Sequence, residues 1–512
     1  VAALESAMVQ GVAPDAQLIT MKVFGKSGGA YDSDYMAAIE DAVILGCDAA
    51  NLSLGSGNPG MSRNATAEYQ AILDSLTEAG IVVAMSAGNS GHWAEQTASG
   101  YLYNDGVSFQ TNGSPGSFTN SLSVASVDND GKTGYYFNIG DLMIVYNEML
   151  EGNSGPYSNE PFTTIAGDHE YVFIDGIGTA EEWAAVGSAL EGKIALCARG
   201  EISFYLKAQY AVEAGAIATI IYDNQPGIVN MDLTDYPYTQ PCASLTQADG
   251  AAVKAASTPV TDEEGNVLYY TGTMTISEGM GIGQFNSPYY TMSSFSSWGV
   301  PGSLELKPEI TAPGGMIWSV NGVATSGTEY EMMSGTSMAA PQVAGMAAIV
   351  AQYIRENGLE EQTGLTARQL AQSLLMSTAE PMLASASGYH SILQQGAGLA
   401  NVGAAVCADS YITMADGSNA GAADGKVKVE LGDDPARAGS YTATFTLNNL
   451  TDTEKVFDLG ADFFIQAPTS DGVNMYMYTA TALIGADVEW IVDGAAIEPT
   501  GAYAGLDFNG DG

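Results

Sequence analysis

The sequence predicts an α/β protein built on a doubly wound parallel sheet, interrupted by an inserted domain and followed by a β-sandwich. Three observations carry this prediction. Short apolar runs alternate with helical patterns in the first 90 residues. Between about 135 and 285, Tyr, Gly and Asp are more frequent and the helical periodicity is weaker. Beyond about 407, apolar residues recur at every second position. A chain of 512 residues is also too long for one ordinary core, so we expect several domains.

The composition is that of a strongly acidic globular protein. Hydrophobic residues make up 46%, and 15 Lys and Arg stand against 59 Asp and Glu, for a net charge of −44. This charge would repel phosphate backbones and anionic lipids, which excludes nucleic-acid binding. No apolar run reaches 18 residues, so we expect no transmembrane segment in this chain. It lacks an initiator Met and a signal peptide, and we expect it to be a piece of a longer protein.

Residues 1–134 alternate strands and helices. The run "QLITMKVF" (17–24) predicts a buried strand, and strands are also predicted in "DAANLSLG" and "IVVAMSAGN". Two amphipathic helices separate these strands, and their apolar positions are Met36, Ile39 and Val43, then Tyr69, Ile72, Leu73 and Leu76. Gly46 and Gly80 can cap the two helices. Because ligands of such sheets bind at the carboxyl ends of the strands, Ser53 to Gly55 and Gly88 to Asn89 are candidate site residues.

Residues 135–285 form the predicted insertion. It contains a strand, helix, strand unit in "GKIALCARG", "YLKAQYAVEAGA" and "IATIIYDN". The pattern of residues 1–134 resumes over 286–406, beginning with "SSFSSWG" and "LKPEITAPGG". A helix of small residues after Ser337 runs towards Tyr353, and a further helix is predicted in "TARQLAQSLLMSTA".

Residues 407–505 show period-two alternation, which predicts the β-sandwich. The alternation is clearest in "KVKVEL" (426–431) and "YTATFTLNN" (441–449). The last residues, 506–512, contain "DFNGDG", which matches the opening of a calcium loop with Asp507, Asn509 and Asp511 as its first three ligands. An Asp-Gly turn is the alternative, and without the later ligands no metal should bind tightly here.

Ser337 is the candidate nucleophile. A serine hydroxyl needs an adjacent base and an oxyanion hole before it can attack. Gly335 allows a tight turn, and a helix that starts near Thr336 would direct free N–H groups towards charge that develops beside Ser337. The alternative for a single Ser before a helix is a simple N-cap.

The stretch "SGTSMAAPQVAG" (334–345) resembles the nucleophile motif of the subtilisin-like serine proteases, the S8 subtilases. The segments "GVAPDAQLITMKVF", "NLSLGS", "VVAMSAGNSG" and "FSSWG…LKPEITAPGG" occur in the order of that family. The resemblance implies a subtilisin-like fold in which Ser337 is the nucleophile and the amide of Asn89 completes the oxyanion hole. It also implies substrate-binding backbone at Ser53, Leu54, Gly55, Ser86, Ala87 and Gly88. From the residues alone, a turn residue is the favoured interpretation of Asn89, and ordinary strand packing is an equal alternative for Leu54.

The general base is not recognisable in this chain. In the family the order is Asp, His, Ser, and the His belongs to a segment that would precede "GVAP". His92 follows Asn89 too closely, His169 lies in the insertion, and His390 lies outside the expected context. We therefore expect the triad His and Asp upstream of Val1, and the 512-residue chain to be inactive by itself.

The flanking modules resemble those of large cell-envelope subtilases of Gram-positive bacteria, the lactocepin and C5a-peptidase-like group. The segment from about 160 to 262 resembles a protease-associated (PA) domain, and residues 407–505 resemble a fibronectin-III-like domain. The terminal segment resembles a dockerin-type repeat, which would bind a structural calcium ion. Cys197 and Cys242 are either a disulfide or two buried thiols.

The resemblance implies a secreted or cell-surface bacterial serine endopeptidase that cleaves extracellular proteins or peptides. It needs no cofactor for catalysis, and any cell-wall attachment lies outside this chain. The rival hypothesis is a non-catalytic surface binding protein with a degenerate subtilase core.

Overall fold

A computed structural model describes residues 9–25, 28–55, 67–91, 96–97, 100–103, 111–129, 131–152, 155–224, 229, 231–284, 289–299, 305–320, 330–385, 388–432 and 434–457, and short strands from 464 to 497. The chain divides into two compact units, one formed by 1–129 with 287–512 and the other by 130–286. The second unit overlaps the insertion that the sequence predicts at 135–285, and its identity as a PA domain stays a prediction.

Residues 9–129 open the first unit. Its elements here are α1 (Asp32–Leu45), β1 (Ala49–Leu52), α2 (Ala67–Glu78), β2 (Val82–Ser86), β3 (Gln96–Thr97), β4 (Gly100–Tyr103) and β5 (Leu122–Asp128). Helix α1 ends at Gly46, whose left-handed φ of 68° lets its N–H bond to the carbonyls of Ala42 and Val43. Gly80 follows α2 with a φ of 74°. Both predicted helices and the strands β1 and β2 are confirmed.

The strand predicted at 17–24 is wrong. This segment has no regular secondary structure, and Leu18 and Phe24 are 84% and 42% exposed. An apolar run becomes a strand only where a neighbouring strand takes up its N–H and C=O groups. None of the described strands pairs with 17–24, and in the described sheet β1 pairs with β2 alone.

Residues 130–286 form the second unit around a mixed sheet. Its elements are β6 (Gly131–Ile139), β7 (Leu142–Val145), β8 (Asn147–Glu148), β9 (Glu151–Gly152), β10 (Gly155–Pro156), β11 (Gly167–Phe173), α3 (Ala180–Val186), β12 (Ile194–Ala198), α4 (Phe204–Glu213), β13 (Ala218–Tyr222), β14 (Cys242–Leu245), α5 (Gln247–Ala256), β15 (Thr258–Thr261) and β16 (Val267–Gln284). The sheet order is β7-β6-β16-β11-β12-β13-β14-β8. Strands β11 to β14 are parallel, and the predicted strand, helix, strand unit β12-α4-β13 is confirmed.

The chain then returns to the first unit. Its elements are β17 (Ile310–Gly315), β18 (Ile317–Val320), β19 (Tyr330–Met333), α6 (Thr336–Glu356), α7 (Leu359–Thr363), α8 (Ala367–Ser377), β20 (Leu383–Ser385), β21 (Gly388–His390), α9 (Ile392–Gln395) and α10 (Val402–Cys407). Strand β17 pairs with β5 and completes the parallel sheet β1-β2-β5-β17. The predicted helices α6 and α8 are confirmed, and both lie in the main core with this sheet.

The strand predicted at "KVKVEL" is wrong, because 426–431 is not a strand. The period of two is present, but Lys426 and Lys428 are the buried residues, at 1% and 7% exposure, while Leu431 is 53% exposed. Both ammonium groups contact the buried carboxylate of Glu309, at 2.9 and 3.0 Å. An ion pair can thus reverse the face that hydropathy alone would bury.

The strand predicted at 441–449 is shorter in the structure. Strand β23 (Phe445–Asn449) pairs antiparallel with β22 (Ser410–Met414), and Phe445 is 60% exposed. Further short strands are β24 (Phe464–Ile465), β25 (Pro468–Ser470), β26 (Met475–Met477), β27 (Ala480–Leu483), β28 (Trp490–Val492) and β29 (Ala495–Ile497). Strands β26 and β27 pair with β4 and β21 of the same unit. The fibronectin-III-like assignment of 407–505 stays a prediction.

Candidate active site

The carboxyl ends of β1 and β2 meet the first turn of α6. Because the two strands are parallel, the residues after each strand lie at the same edge of the sheet. After β1, the Ser53 hydroxyl donates a hydrogen bond of 2.7 Å to the backbone carbonyl of Ser337. After β2, the N–H of Gly88 donates to the Thr336 hydroxyl at 3.1 Å. The fold therefore brings together three segments that are far apart in the sequence.

Ser337 stands in the first turn of α6 and is half-buried. Small residues let this helix enter the core, and Ala339, Ala340, Val343 and Ala347 are all fully buried. The N–H groups of a first turn have no acceptor within the helix, so the Ser337 N–H is available to a ligand. A core-embedded helix thus presents the hydroxyl and the N–H of Ser337 at the edge of the sheet.

Asn89 is held by its carboxamide oxygen. Its Oδ1 accepts hydrogen bonds from the backbone N–H of Thr336 at 2.9 Å and from the Thr336 hydroxyl at 2.8 Å. These two donors fix which end of the amide is oxygen, so Nδ2 keeps its N–H groups for another acceptor. A Cβ built on Gly335 would lie 3.3 Å from Nδ2, and glycine keeps this space open. The side chain of Asn89 is exposed, so an acceptor can reach it.

The remaining predicted substrate-binding residues form two adjacent segments. The Ser86 hydroxyl donates to the Leu54 carbonyl at 3.3 Å and so connects the end of β2 to the segment after β1. Ser86 and Ala87 are buried, Leu54 is half-buried and Gly55 is exposed. A Cβ on Gly55 would lie 3.0 Å from the Ser114 carbonyl, which leaves little room there for a larger residue.

Each of the two described histidines lies close to a backbone carbonyl of its own unit. His169 belongs to the second unit, where Nε2 lies 2.7 Å from the Ile165 carbonyl. His390 is buried, its Nε2 lies 2.9 Å from the Tyr290 carbonyl, and burial lowers its pKa. His92 lies outside the described residues. Asp32 and Asp34 lie in the first turn of α1 and have local roles. The Asp34 carboxylate accepts the Tyr31 N–H at 2.9 Å, and the Asp32 carboxylate accepts the Tyr35 hydroxyl at 3.1 Å.

Thr336 is a site residue that the sequence argument missed. Its hydroxyl donates to Asn89 and accepts from Gly88, so one buried side chain joins the oxyanion candidate to the nucleophile helix. The sequence offers one signal for a role of Thr336 in the site, namely that it directly precedes Ser337. Sequence spacing cannot show, however, that a residue 247 positions away supplies its partner.

Cys197 and Cys242 are buried free thiols. They lie on β12 and β14, and β13 separates these two strands. Two strand spacings amount to about 9.5 Å, beyond the roughly 7 Å that a disulfide spans between Cα atoms. Burial raises the pKa of each thiol to about 12, which makes both unreactive.

The predicted calcium ligands Asp507, Asn509 and Asp511 lie outside the described residues. Among the residues that the structure does describe, no group of three or more His, Cys, Asp or Glu side chains is arranged to hold a metal ion. In the same part of the chain, no helix combines the length and the apolar character needed to cross a bilayer.

Comparison with known proteins defines the class. The subtilase family (Peptidase S8) matches residues 1–401, and the chain belongs to this family. It is 30% identical to the PI-type proteinase of Lactococcus lactis subsp. cremoris over 98% of the chain and 26% of that protein. It is 28% identical to the C5a peptidase of Streptococcus pyogenes, over 87% of the chain and 34% of that protein.

A third relative is the minor extracellular protease Vpr of Bacillus subtilis (strain 168), which is 28% identical over 89% of the chain and 49% of that protein. The resemblance to the cell-envelope subtilases is thereby confirmed. The chain spans between about a quarter and a half of these curated relatives.

Proposed function

We propose that this chain carries the nucleophile and the oxyanion hole of a serine endopeptidase that hydrolyses peptide bonds in extracellular proteins. The observation that carries the proposal is the double hydrogen bond from Thr336 to Asn89 Oδ1, directly before Ser337. Because both bonds go to Oδ1, the Nδ2 donor of Asn89 remains for the oxyanion that the proposal also assigns to the Ser337 N–H. Such preorganised donors supply a large part of the catalysis of acyl transfer.

The proposed reaction follows the Ser/His/Asp mechanism. The Ser337 hydroxyl attacks the scissile carbonyl carbon while a histidine takes its proton, and the carbonyl oxygen becomes an oxyanion. The Asn89 amide and the Ser337 N–H donate to this oxygen. The C–N bond then breaks, the histidine protonates the leaving amine, and water hydrolyses the acyl-enzyme. The proposal keeps the family pattern, in which the His belongs to a segment that precedes "GVAP", and it expects the 512-residue chain alone to be inactive.

The proposed substrate is an extended polypeptide. The segments Ser53 to Gly55 and Ser86 to Gly88 are joined by the hydrogen bond from the Ser86 hydroxyl to the Leu54 carbonyl. Extended peptides bind to exposed backbone edges by main-chain hydrogen bonds, and Gly55 is the exposed residue of these two segments. The name of the Bacillus relative, an extracellular protease, supports secretion or a cell-surface location for this chain. The PA, fibronectin-III-like and calcium-binding assignments are part of the same proposal.

The test is labelling of the full-length protein with a fluorophosphonate probe, which reacts only with an activated serine. We expect labelling of the wild type and none of Ser337→Ala. The matched control is Ser334→Ala, since Ser334 lies in the same motif but its hydroxyl accepts the Met316 N–H, at 2.9 Å. The isolated 512-residue chain should stay unlabelled. A folded full-length protein that fails to label would instead favour a surface binding protein with a degenerate core.

A further inference from the structure

The backbone around Asn89 needs support, because Asn89 lies in an exposed turn. Gly88 has a φ of 109°, in the left-handed region, and the next residue is exposed. Thr336 holds the side chain of Asn89 but bonds to the backbone only at Gly88 N–H. The position of the Asn89 main chain must therefore depend on further contacts.

A single residue, Ser297, contacts the backbone on both sides of Asn89. The N–H of Ser297 donates to the Gly88 carbonyl at 3.0 Å, and the Ser90 N–H donates to the Ser297 hydroxyl at 3.1 Å. The next bond along the turn comes from the same segment, since the Gly91 N–H donates to the Phe295 carbonyl at 2.7 Å. Residues 295–297 thus hold the backbone of the turn before and after Asn89.

Burial makes this contact rigid. Ser297 is fully buried, and its Oγ lies 2.8 Å from the point where a Cβ on Gly88 would be. The hydroxyl therefore occupies the space that the missing side chain of Gly88 leaves. A close-packed contact of this kind allows little displacement of the turn.

We propose that Ser297 is a positioning residue of the oxyanion hole, which fixes the main chain of Asn89 while Thr336 fixes its side chain. This inference rests on the proposed function. An oxyanion donor acts only within about 2.7–3.1 Å of the developing charge, and small displacements are costly. Because the bond from Asn89 strengthens in the transition state, a misplaced Asn89 lowers kcat and leaves KM nearly unchanged.

The test compares Ser297→Ala with Ser296→Ala in the full-length protein. Ser296 is equally buried, and its hydroxyl also accepts a backbone N–H, but from Ser126 on β5 at 3.0 Å. Each variant loses one bond from a backbone N–H to a buried hydroxyl, and the bond to Ser296 is the more deeply buried, so a merely structural effect would be at least as large in Ser296→Ala. With a chromogenic peptide substrate, we expect Ser297→Ala to lower kcat about five- to ten-fold at constant KM, and Ser296→Ala to stay within about two-fold of wild type.

A double-variant cycle shows whether Ser297 acts through Asn89. Asn89→Ala should lower kcat by about 10²- to 10³-fold, a magnitude that was measured on subtilisin itself. Adding Ser297→Ala to Asn89→Ala should then cost nothing further, since the group it positions is gone. With an active wild type, additive losses or equal kcat values for the two serine variants would overturn the inference alone. An inactive wild type would overturn the proposed function, and this inference with it.

Discussion

The carboxamide oxygen of Asn89 accepts two hydrogen bonds from Thr336, from the backbone N–H at 2.9 Å and from the hydroxyl at 2.8 Å. The two residues are 247 positions apart in the sequence. The backbone bond depends on where α6 begins, whereas the hydroxyl bond depends on the side chain. The two contributions to the orientation of Asn89 can therefore be separated by substitution.

Thr336→Val should lower kcat and leave KM nearly unchanged. Valine keeps the shape of this fully buried residue but removes the hydroxyl that donates to Asn89 and accepts from Gly88. The loss of one such bond predicts a fall of about five- to ten-fold, measured as kcat on a peptide substrate. Thr336→Ser keeps the hydroxyl and is the control. A fall of the same size in both variants would show that packing, and not the hydroxyl, sets the rate.

Gly335→Ala should impair catalysis without unfolding the protein. Gly335 has an extended φ of 163°, which alanine adopts without strain, but the added Cβ would lie 3.3 Å from Asn89 Nδ2. We expect kcat to fall about ten-fold and the melting temperature to stay within a few degrees of wild type. Unchanged kcat would contradict the assignment of Nδ2 to the oxyanion hole.

Gly88→Ala should differ from Gly335→Ala in its effect on stability. Its φ of 109° is unfavourable for alanine, and the new Cβ would lie 2.8 Å from the Ser297 hydroxyl. This variant should lose stability as well as activity.

The sequence predicted most elements of the first unit but not the contacts that orient the site. Helix α6 was predictable because a run of small residues follows Gly335 and continues to the expected end. The prediction of a strand at 17–24 failed because the pattern shows apolar residues but does not show whether a neighbouring strand is present. "KVKVEL" failed because hydropathy places lysine outside, whereas the buried carboxylate of Glu309 draws Lys426 and Lys428 inside. Glu309 is 117 and 119 residues away from these two lysines, and a local pattern does not contain such a partner.

Glu309 is the centre of a buried ion cluster in the first unit. Its Oε1 accepts from Lys307, Lys426 and Lys428 at 2.8, 2.9 and 3.0 Å, and its Oε2 accepts the Ser123 N–H at 2.7 Å. Burial alone would raise the pKa of this carboxyl, but the three ammonium groups hold it well below its usual range. The three lysines therefore favour the charged form of Glu309.

Glu309→Gln should be more destabilising than the removal of one lysine. It leaves three buried ammonium groups without their shared carboxylate, and breaking a buried pair costs about 3–5 kcal/mol. Lys428→Met leaves Glu309 with two lysines, so we expect a smaller loss. Glu430→Gln is the control, since its carboxylate is half-buried and lies 3.5 Å from Lys428 alone of the three lysines. Urea unfolding of the 512-residue chain measures the order, and a lysine variant less stable than Glu309→Gln would contradict it.

The stability of the second unit should fall as the pH rises through neutrality, because of Glu148. Burial raises the pKa of this carboxyl from 4.5 to about 7, although the Phe162 N–H donates to it at 2.5 Å. The folded state then holds a proton that the unfolded state releases near pH 4.5. Stability is highest below that pH, decreases up to about pH 7 and is constant above, with a total loss of about 3 kcal/mol.

Glu148→Gln should remove this pH dependence and stabilise the second unit at pH 8. The carboxamide oxygen that the substitution introduces can still accept the Phe162 N–H, but the new side chain carries no charge at any pH. Strand β8, which contains Glu148, pairs with β14, so hydrogen exchange of these two strands at pH 5 and pH 8 reports the local stability. After correction for the intrinsic exchange rate, wild-type protection should be lower at pH 8, and the variant should be equally protected at both. Equal protection of the wild type at the two pH values would show that Glu148 is ionised in the folded state.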